Sequence, residues 1–127
     1  MHRSRLAGFI IDCQTDDLEG GATFWSAALG LPLRGGAADD PGYRQLHDAP
    51  GNLHVEVQKV QHPSRVHLDI ESDDLEAEAR RLEALGAKRI GVVKRWIVME
   101  APTGHRFCIV NPQSKDFAQV ANRWDQV

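Results

Sequence analysis

The feature that most constrains this chain is that it repeats itself. Asp16-Asp17-Leu18-Glu19 recurs as Asp73-Asp74-Leu75-Glu76, an offset of 57 residues. At that offset Leu18 falls on Leu75, Ala22 on Ala79 and Trp25 on Leu82. One deletion later, Leu29-Gly30 falls on Leu85-Gly86. Asp48-Ala49-Pro50-Gly51 is echoed by Glu100-Ala101-Pro102-Thr103-Gly104. A period of this size means one supersecondary unit used twice, here over about residues 6–60 and 64–111. The 127 residues amount to a single domain. A domain of that size buries roughly two-thirds of its unfolded surface and needs no disulfide or metal to stay folded.

Each half carries the same local signals. Leu6 to Cys13 and Arg65 to Glu71 are apolar, β-branched runs of strand length. A helix follows each. Asp73 with Glu76 matches a capping box, and Gly86 stands where a helix terminates on glycine. Leu75, Ala79 and Leu82 line one face of this helix, while Glu76 and Arg80 can pair on the outside. The first helix repeats the stripe as Leu18, Ala22, Trp25 and Leu29, although Gly20-Gly21 weakens its first turn. Three short strands close each half, expected at 31–34, 43–47 and 53–60, then at 88–93, 95–100 and 106–110. The order is βαβββ, twice, with one long loop from Gly35 to Gly42. The tail from Ser114 to Val127 places Phe117, Val120, Ala121 and Trp124 at helical spacing, an amphipathic stripe to be buried on the domain or on a neighbouring subunit.

Alternation along strands sorts residues into two faces. Val66, Leu68 and Ile70 are the apolar, helix-packing set of the fifth strand, and Leu53, Val55 and Val57 play that part in the fourth. The first strand packs Phe9, Ile11 and Cys13, and the last packs Phe107 and Ile109. The opposite face then collects Asp12, His54, Glu56, Gln58, His67, Asp69, Arg106 and Cys108. Such a face is either a wetted antiparallel sheet or the wall of a cleft. The duplication favours a cleft at the junction of the two halves. Within it, His67 as base with Asp69 orienting it is one acid–base arrangement two residues apart on one strand face. Lys88-Arg89 and Lys94-Arg95 flank the sixth strand and suit either an anionic substrate or edge protection.

Composition excludes several partners. Fifteen Lys and Arg against eighteen Asp and Glu give a net charge of −3 without a single-sign block, which argues against nucleic acid. No stretch approaches the ~20 apolar residues that span a bilayer. The apolar run after Arg5 is interrupted at Asp12, too short for an export signal. Cys13 and Cys108 stand far apart without CxxC spacing, as expected of a reduced, cytoplasmic protein. HExxH, GxSxG, Walker A and GxGxxG patterns are all lacking.

Several segments in their order resemble the vicinal oxygen chelate superfamily of glyoxalases, bleomycin-resistance proteins and extradiol dioxygenases, and its glyoxalase-like subgroup in particular. They are Phe24-Trp25 with Leu29-Gly30, Arg65-Val66-His67-Leu68-Asp69-Ile70, Leu85-Gly86-Ala87, Trp96-Ile97-Val98-Met99, and Pro102-Thr103-Gly104-His105-Arg106-Phe107-Cys108. The resemblance covers residues 6–112. It implies an α+β fold of two βαβββ modules with curved mixed sheets forming a cleft, completed as a homodimer. Metal enzymes of that superfamily hold a divalent ion with His, Gln and Glu from the first, fourth, fifth and eighth strands. Here His67 takes the fifth-strand place and Glu56 the fourth, with Gln58 in its stead if the register slips. The first-strand place falls on Ile10, Gly8 or Phe9, none of which coordinates a metal, and Cys108 replaces the last-strand Glu. Asp12 is a candidate stand-in. The expectation is a domain that binds a small organic molecule in the inter-module cleft without the usual metal. The alternative is a divalent-metal-dependent lyase, isomerase or dioxygenase with His67 and Glu56 as ligands and catalytic groups. The cofactor is accordingly none or one divalent metal.

Overall fold

The computed structural model describes residues 1–34 and 42–125. The Gly35–Gly42 loop read from sequence thus lies, but for Gly42, outside the described residues. The chain divides into two compact units, Phe9–Val66 and Met1–Gly8 with His67–Val127. The first strand, β1 (His2–Gln14), contributes its opening residues to the second of these and the remainder to the first.

In the Phe9–Val66 unit, β1 is followed by α1 (Leu18–Leu29), β2 (Tyr43–Leu46) and β3 (His54–Val60), and the strands lie in the order β2-β3-β1. The Asp17 carboxylate caps α1 by accepting from the Gly20 amide at 2.9 Å. A Cβ on Gly20 would sit 2.2 Å from that carboxylate. The glycine that weakens helix propensity is therefore what lets the cap close. The helix ends on Gly30 in the left-handed region, φ 70°. Ala22 packs with Ile11, Leu46, Val55 and Val57, and Phe9, Cys13, Leu18 and Trp25 complete that core. The strand expected at 31–34 is reduced to one bridge, Leu33 to Leu46. Pro32 has no amide hydrogen to donate to a ladder, and its carbonyl accepts from His47 instead.

In the other unit, β4 (which spans Arg65–Ser72) leads into α2 (Leu75–Ala84), β5 (Lys88–Val93), β6 (Trp96–Glu100) and β7 (Arg106–Val110). The strand order is β1-β4-β7-β6-β5, with β7 parallel to β4 and antiparallel to β6. Ala79 and Leu82 of α2 pack on Ile97, Met99, Phe107 and Ile109. The cap falls one residue later than the capping box predicts. Asp74 accepts from the Ala77 amide at 3.0 Å, while the Asp73 carboxylate accepts from the Arg3 amide at 2.8 Å. Gly86 closes the helix at φ 107°. Of the apolar set assigned to β4, only Ile70 joins the core; Val66 and Leu68 are 53% and 50% exposed. Alternation identifies a face but not how far along the strand a ten-residue helix covers it.

The tail makes only one helical turn, α3 (Phe117–Val120), and then pairs with β1 as β8 (Asn122–Trp124). Phe117 is buried. Trp124 donates its indole N–H to the Ser4 hydroxyl at 2.8 Å, and the Arg81 guanidinium lies 3.9 Å from its ring centre. Among the described residues, no helix is long and apolar enough to cross a membrane.

Candidate functional site

The polar face of β4, β7 and β6 is built by register. Ile97, Met99, Phe107 and Ile109 point into the core, so Trp96, Val98, Glu100, Arg106 and Cys108 point the other way. Cys108 stands beside Asp69 on β4 and beside Val98 on β6. Glu100 is opposite Arg106, and its carboxylate accepts from the Arg106 Nε at 3.2 Å. Extending the parallel register one step sets His67 next to Arg106. Neighbouring side chains on one face lie within about 5 Å of each other, which makes this a continuous surface. It carries imidazole, carboxylate, guanidinium and thiol at one side and Val98 and Trp96 at the other. The Lys94 ammonium stands 5.7 Å from the Trp96 ring centre.

Within that surface, one donor atom each of His67, Asp69 and Cys108 lie within 4.8 Å of one another. The His67 Nε2 is 3.6 Å from the Asp69 Oδ1, with both side chains 15% exposed. Cys108 is a half-buried thiol that forms no disulfide. Strand pairing explains the grouping: two residues on one strand face and their parallel neighbour converge without any loop having to position them.

The remaining expected site residues lie in the Phe9–Val66 unit and have partners there. His54 Nε2 is 3.5 Å from Glu56 Oε1, and its Nδ1 is 3.5 Å from Gln45 Nε2. Gln58 donates to the Tyr43 hydroxyl at 2.8 Å. Asp12 is 2% exposed, with its Oδ2 3.9 Å from both His62 Nε2 and Arg65 Nε. Beside it, burial first and then the Asp12 charge raise the Cys13 thiol above its usual range. The structure thus groups His67 with Asp69 and Cys108, and Glu56 with His54.

The superfamily's usual metal set does not fit this chain. Ile10 is 2% exposed and apolar, Gly8 and Phe9 offer no donor side chain, and a thiol occupies the last-strand place. Of the basic residues flanking β5, Arg89 turns to α2, where its Nη1 donates to Glu76 at 2.9 Å and its Nη2 lies 3.2 Å from Glu83. Trp96 also lies on this polar face, a residue outside the set that the sequence assigned to it. Its alternation with Ile97 and Met99 is the signal that places it.

The glyoxalase-like domain family matches residues 8–110. No curated protein matches the chain by sequence. Among solved structures, methylmalonyl-CoA epimerase from Mycobacterium tuberculosis is similar with a TM-score of 0.58 at 19% identity, over 89% of this chain and 91% of that one. The hypothetical protein BH1468 from Bacillus halodurans C-125 gives 0.55 at 15% identity, over 88% and 98%. A Legionella pneumophila structure described as an NAD-dependent benzaldehyde dehydrogenase gives 0.57 at 11% identity, over 83% and 99%. At these identities the likeness is one of fold.

Proposed function

The chain belongs to the glyoxalase-like domain family, and from that membership we propose that it binds a small organic molecule without the superfamily's usual four-ligand metal site. The observation that carries this reading is the mixed surface on β4, β7 and β6. Binding sites for small molecules combine an apolar wall with a few placed polar groups. Trp96 and Val98 supply the wall, while His67 and Arg106 supply the polar end. A guanidinium has five donors, so the single bond to Glu100 leaves Arg106 able to take a carboxylate or carbonyl oxygen. The ligand class is therefore a small molecule with an aromatic or aliphatic body and an oxygen-rich, anionic head. The metal-dependent lyase, isomerase or dioxygenase reading calls for a first-strand donor; Gly8, Phe9 and Ile10 provide none, and the stand-in Asp12 is 2% exposed with its carboxylate 3.9 Å from His62 and Arg65.

The test is a thermal-shift screen of aromatic and aliphatic carboxylates in the presence of a chelator. A true ligand raises the melting temperature with concentration, reaching about 2.7 kcal/mol of stabilisation at a hundred times its dissociation constant. Arg106→Ala and Trp96→Ala should each weaken the shift. A screen without hits, or shifts that both variants preserve in full, would overturn the proposal.

A further inference from the structure

We propose that the outer edge of β5 takes up, as an added strand, an extended apolar segment of a partner protein with carboxylates at both its ends. This goes beyond the small-molecule reading and does not depend on it. β5 ends the strand order with β6 as its neighbour, so its outer edge carries no strand among the described residues. All of its residues are exposed, Ile90, Val92 and Val93 by 45%, 72% and 47%. The hairpin fixes where they point. Lys94-Arg95 is a two-residue turn, with Val93 paired to Trp96 and Val92 to Ile97. In such a hairpin the residues flanking the turn exchange both backbone hydrogen bonds, and the polar groups of the next residue are directed outward. The amide and carbonyl of Val92 thus face the outer edge. Its side chain shares the helix side of the sheet with Ile97, and that of Val93 shares the opposite side with Trp96. An added strand covers apolar groups on both faces at once.

Charge decides what that strand can be. Lys88 stands at one end of the apolar run and Lys94 with Arg95 at the other, all exposed, while Arg89 is held by Glu76 and Glu83. Lys94 has φ 54°, a turn conformation that favours glycine or asparagine, so a cation stands there against backbone preference. A second copy paired antiparallel about Gly91 would set each Lys88 against a Lys94. A parallel, in-register copy would set each lysine against its own counterpart. Like charges directly opposite are destabilising, which disfavours both self-pairings. Lysines on an edge strand are an ordinary guard against such pairing, but a guard of one sign repels only its own kind. A segment with Asp or Glu at each end turns the repulsion into attraction. Lys88 and Lys94 are about 20 Å apart along an extended strand, which sets the spacing of the partner's carboxylates. The register shifts at Ile90, where β5 passes from Arg89 opposite Met99 to Gly91 opposite Val98. That bulge bends and twists the edge, so it receives a short segment and does not template an extending sheet.

Capped peptides of about nine residues, long enough to span the edge, serve as probes. The first alternates valine and threonine between aspartates at both ends, the second has the same core between lysines, and the third is the aspartate peptide with a central proline. Titrated into the isotope-labelled full chain and followed by NMR, the aspartate peptide should shift the Lys88, Val92 and Val93 amides saturably. It should also slow exchange of the Val92 amide and bind more weakly in salt, which screens exposed charges. The lysine and proline peptides should bind at least about fivefold more weakly. Val92→Pro removes the outward amide hydrogen without touching the ladder to β6, and should weaken the aspartate peptide at least about fivefold. Lys88→Glu, Lys94→Glu and Arg95→Glu together should reverse the preference toward the lysine peptide. Absent shifts, shifts centred on Arg106 instead of Val92, equal affinity for the lysine peptide, or full binding by Val92→Pro would each overturn the proposal. So would self-association of the unmutated chain that Val92→Pro abolishes, which assigns the edge to a second copy. The three peptides are compared on the unmutated chain, which decides the matter even where a variant fails to fold.

Discussion

Two glutamates two residues apart on α2 should differ sharply in what they contribute. Glu78 is fully buried. It accepts from Arg81 twice, at 2.9 and 2.7 Å, from the Ser4 hydroxyl at 2.8 Å, and lies 2.7 Å from His2 Nε2. Burial pushes its carboxyl up, but the hydrogen bonds from Arg81, His2 and Ser4 and the Arg81 charge outweigh that and hold it below the usual carboxylate range. Glu76 faces outward, 54% exposed, against Arg80 and Arg89. Removing one partner of a buried pair costs about 3–5 kcal/mol. Since the Arg81 side chain is 24% exposed and can recover some hydration, we expect Glu78→Gln to cost about 2–4 kcal/mol by that principle. An exposed pair is worth about 0–1 kcal/mol, and Glu76→Gln should fall there. Urea denaturation monitored by circular dichroism measures both. For a domain of this length each kcal/mol lowers the melting temperature by about 3–5 °C. The pH dependence follows in sign. A carboxylate whose folded pKa lies below its unfolded value stabilises the fold above the unfolded value, near 4.5, and that contribution is lost as pH falls through the folded pKa. The unmutated chain should therefore lose stability below about pH 4.5 more steeply than Glu78→Gln. Equal costs for the two substitutions, or a Glu78→Gln cost under about 0.5 kcal/mol, would refute the reasoning.

Two further substitutions test how the ends of the units are held. Gly20→Ala should cost about 1–2 kcal/mol in urea melts, as expected for a lost N-cap, because its Cβ would meet the Asp17 carboxylate at 2.2 Å; Gly21→Ala, with only Cys13 Sγ nearby at 3.8 Å, is the control and should cost little. Trp124→Leu removes the hydrogen bond to Ser4 and the contact with Arg81. It should speed amide exchange of β8 and of β1 from His2 to Ser4 while leaving exchange in β6 and β7 unchanged.

Much of the architecture was legible in the residues because repetition and periodicity are local. The 57-residue offset aligned the sequences of the two helices, and Gly86, with Gly30 matched to it by the repeat, marked helix ends that the backbone realises with positive φ. What escaped depended on partners remote in sequence. Asp73 looks like a helix cap until Arg3, seventy residues away, takes its carboxylate. Trp124 continues a helical stripe on paper, but the edge of β1 offers backbone pairing from His2 to Ser4, and a four-residue helix cannot compete with that. Leu33 has the composition of a strand, yet Pro32 denies the ladder a donor.

The candidate site shows the same division more finely. Alternation assigned His67, Asp69, Arg106 and Cys108 to one face, and the structure keeps them there. Alternation is silent, however, on which residue stands beside which, because that is set by the register between strands. A one-residue slip of β7 against β4 would turn Cys108 into the core and Phe107 toward His67. Two observations fix the register as it stands. Phe107 and Ile109 are packed beneath α2, and the fully buried Glu71 accepts from the amides of Gln113 and Ser114 at 2.6 and 2.9 Å just beyond the end of β7. The thiol reaches His67 and Asp69 because packing on the far side of the sheet and an anchored segment after it leave β7 no other alignment. The chemistry of this face is thus a consequence of the core behind it.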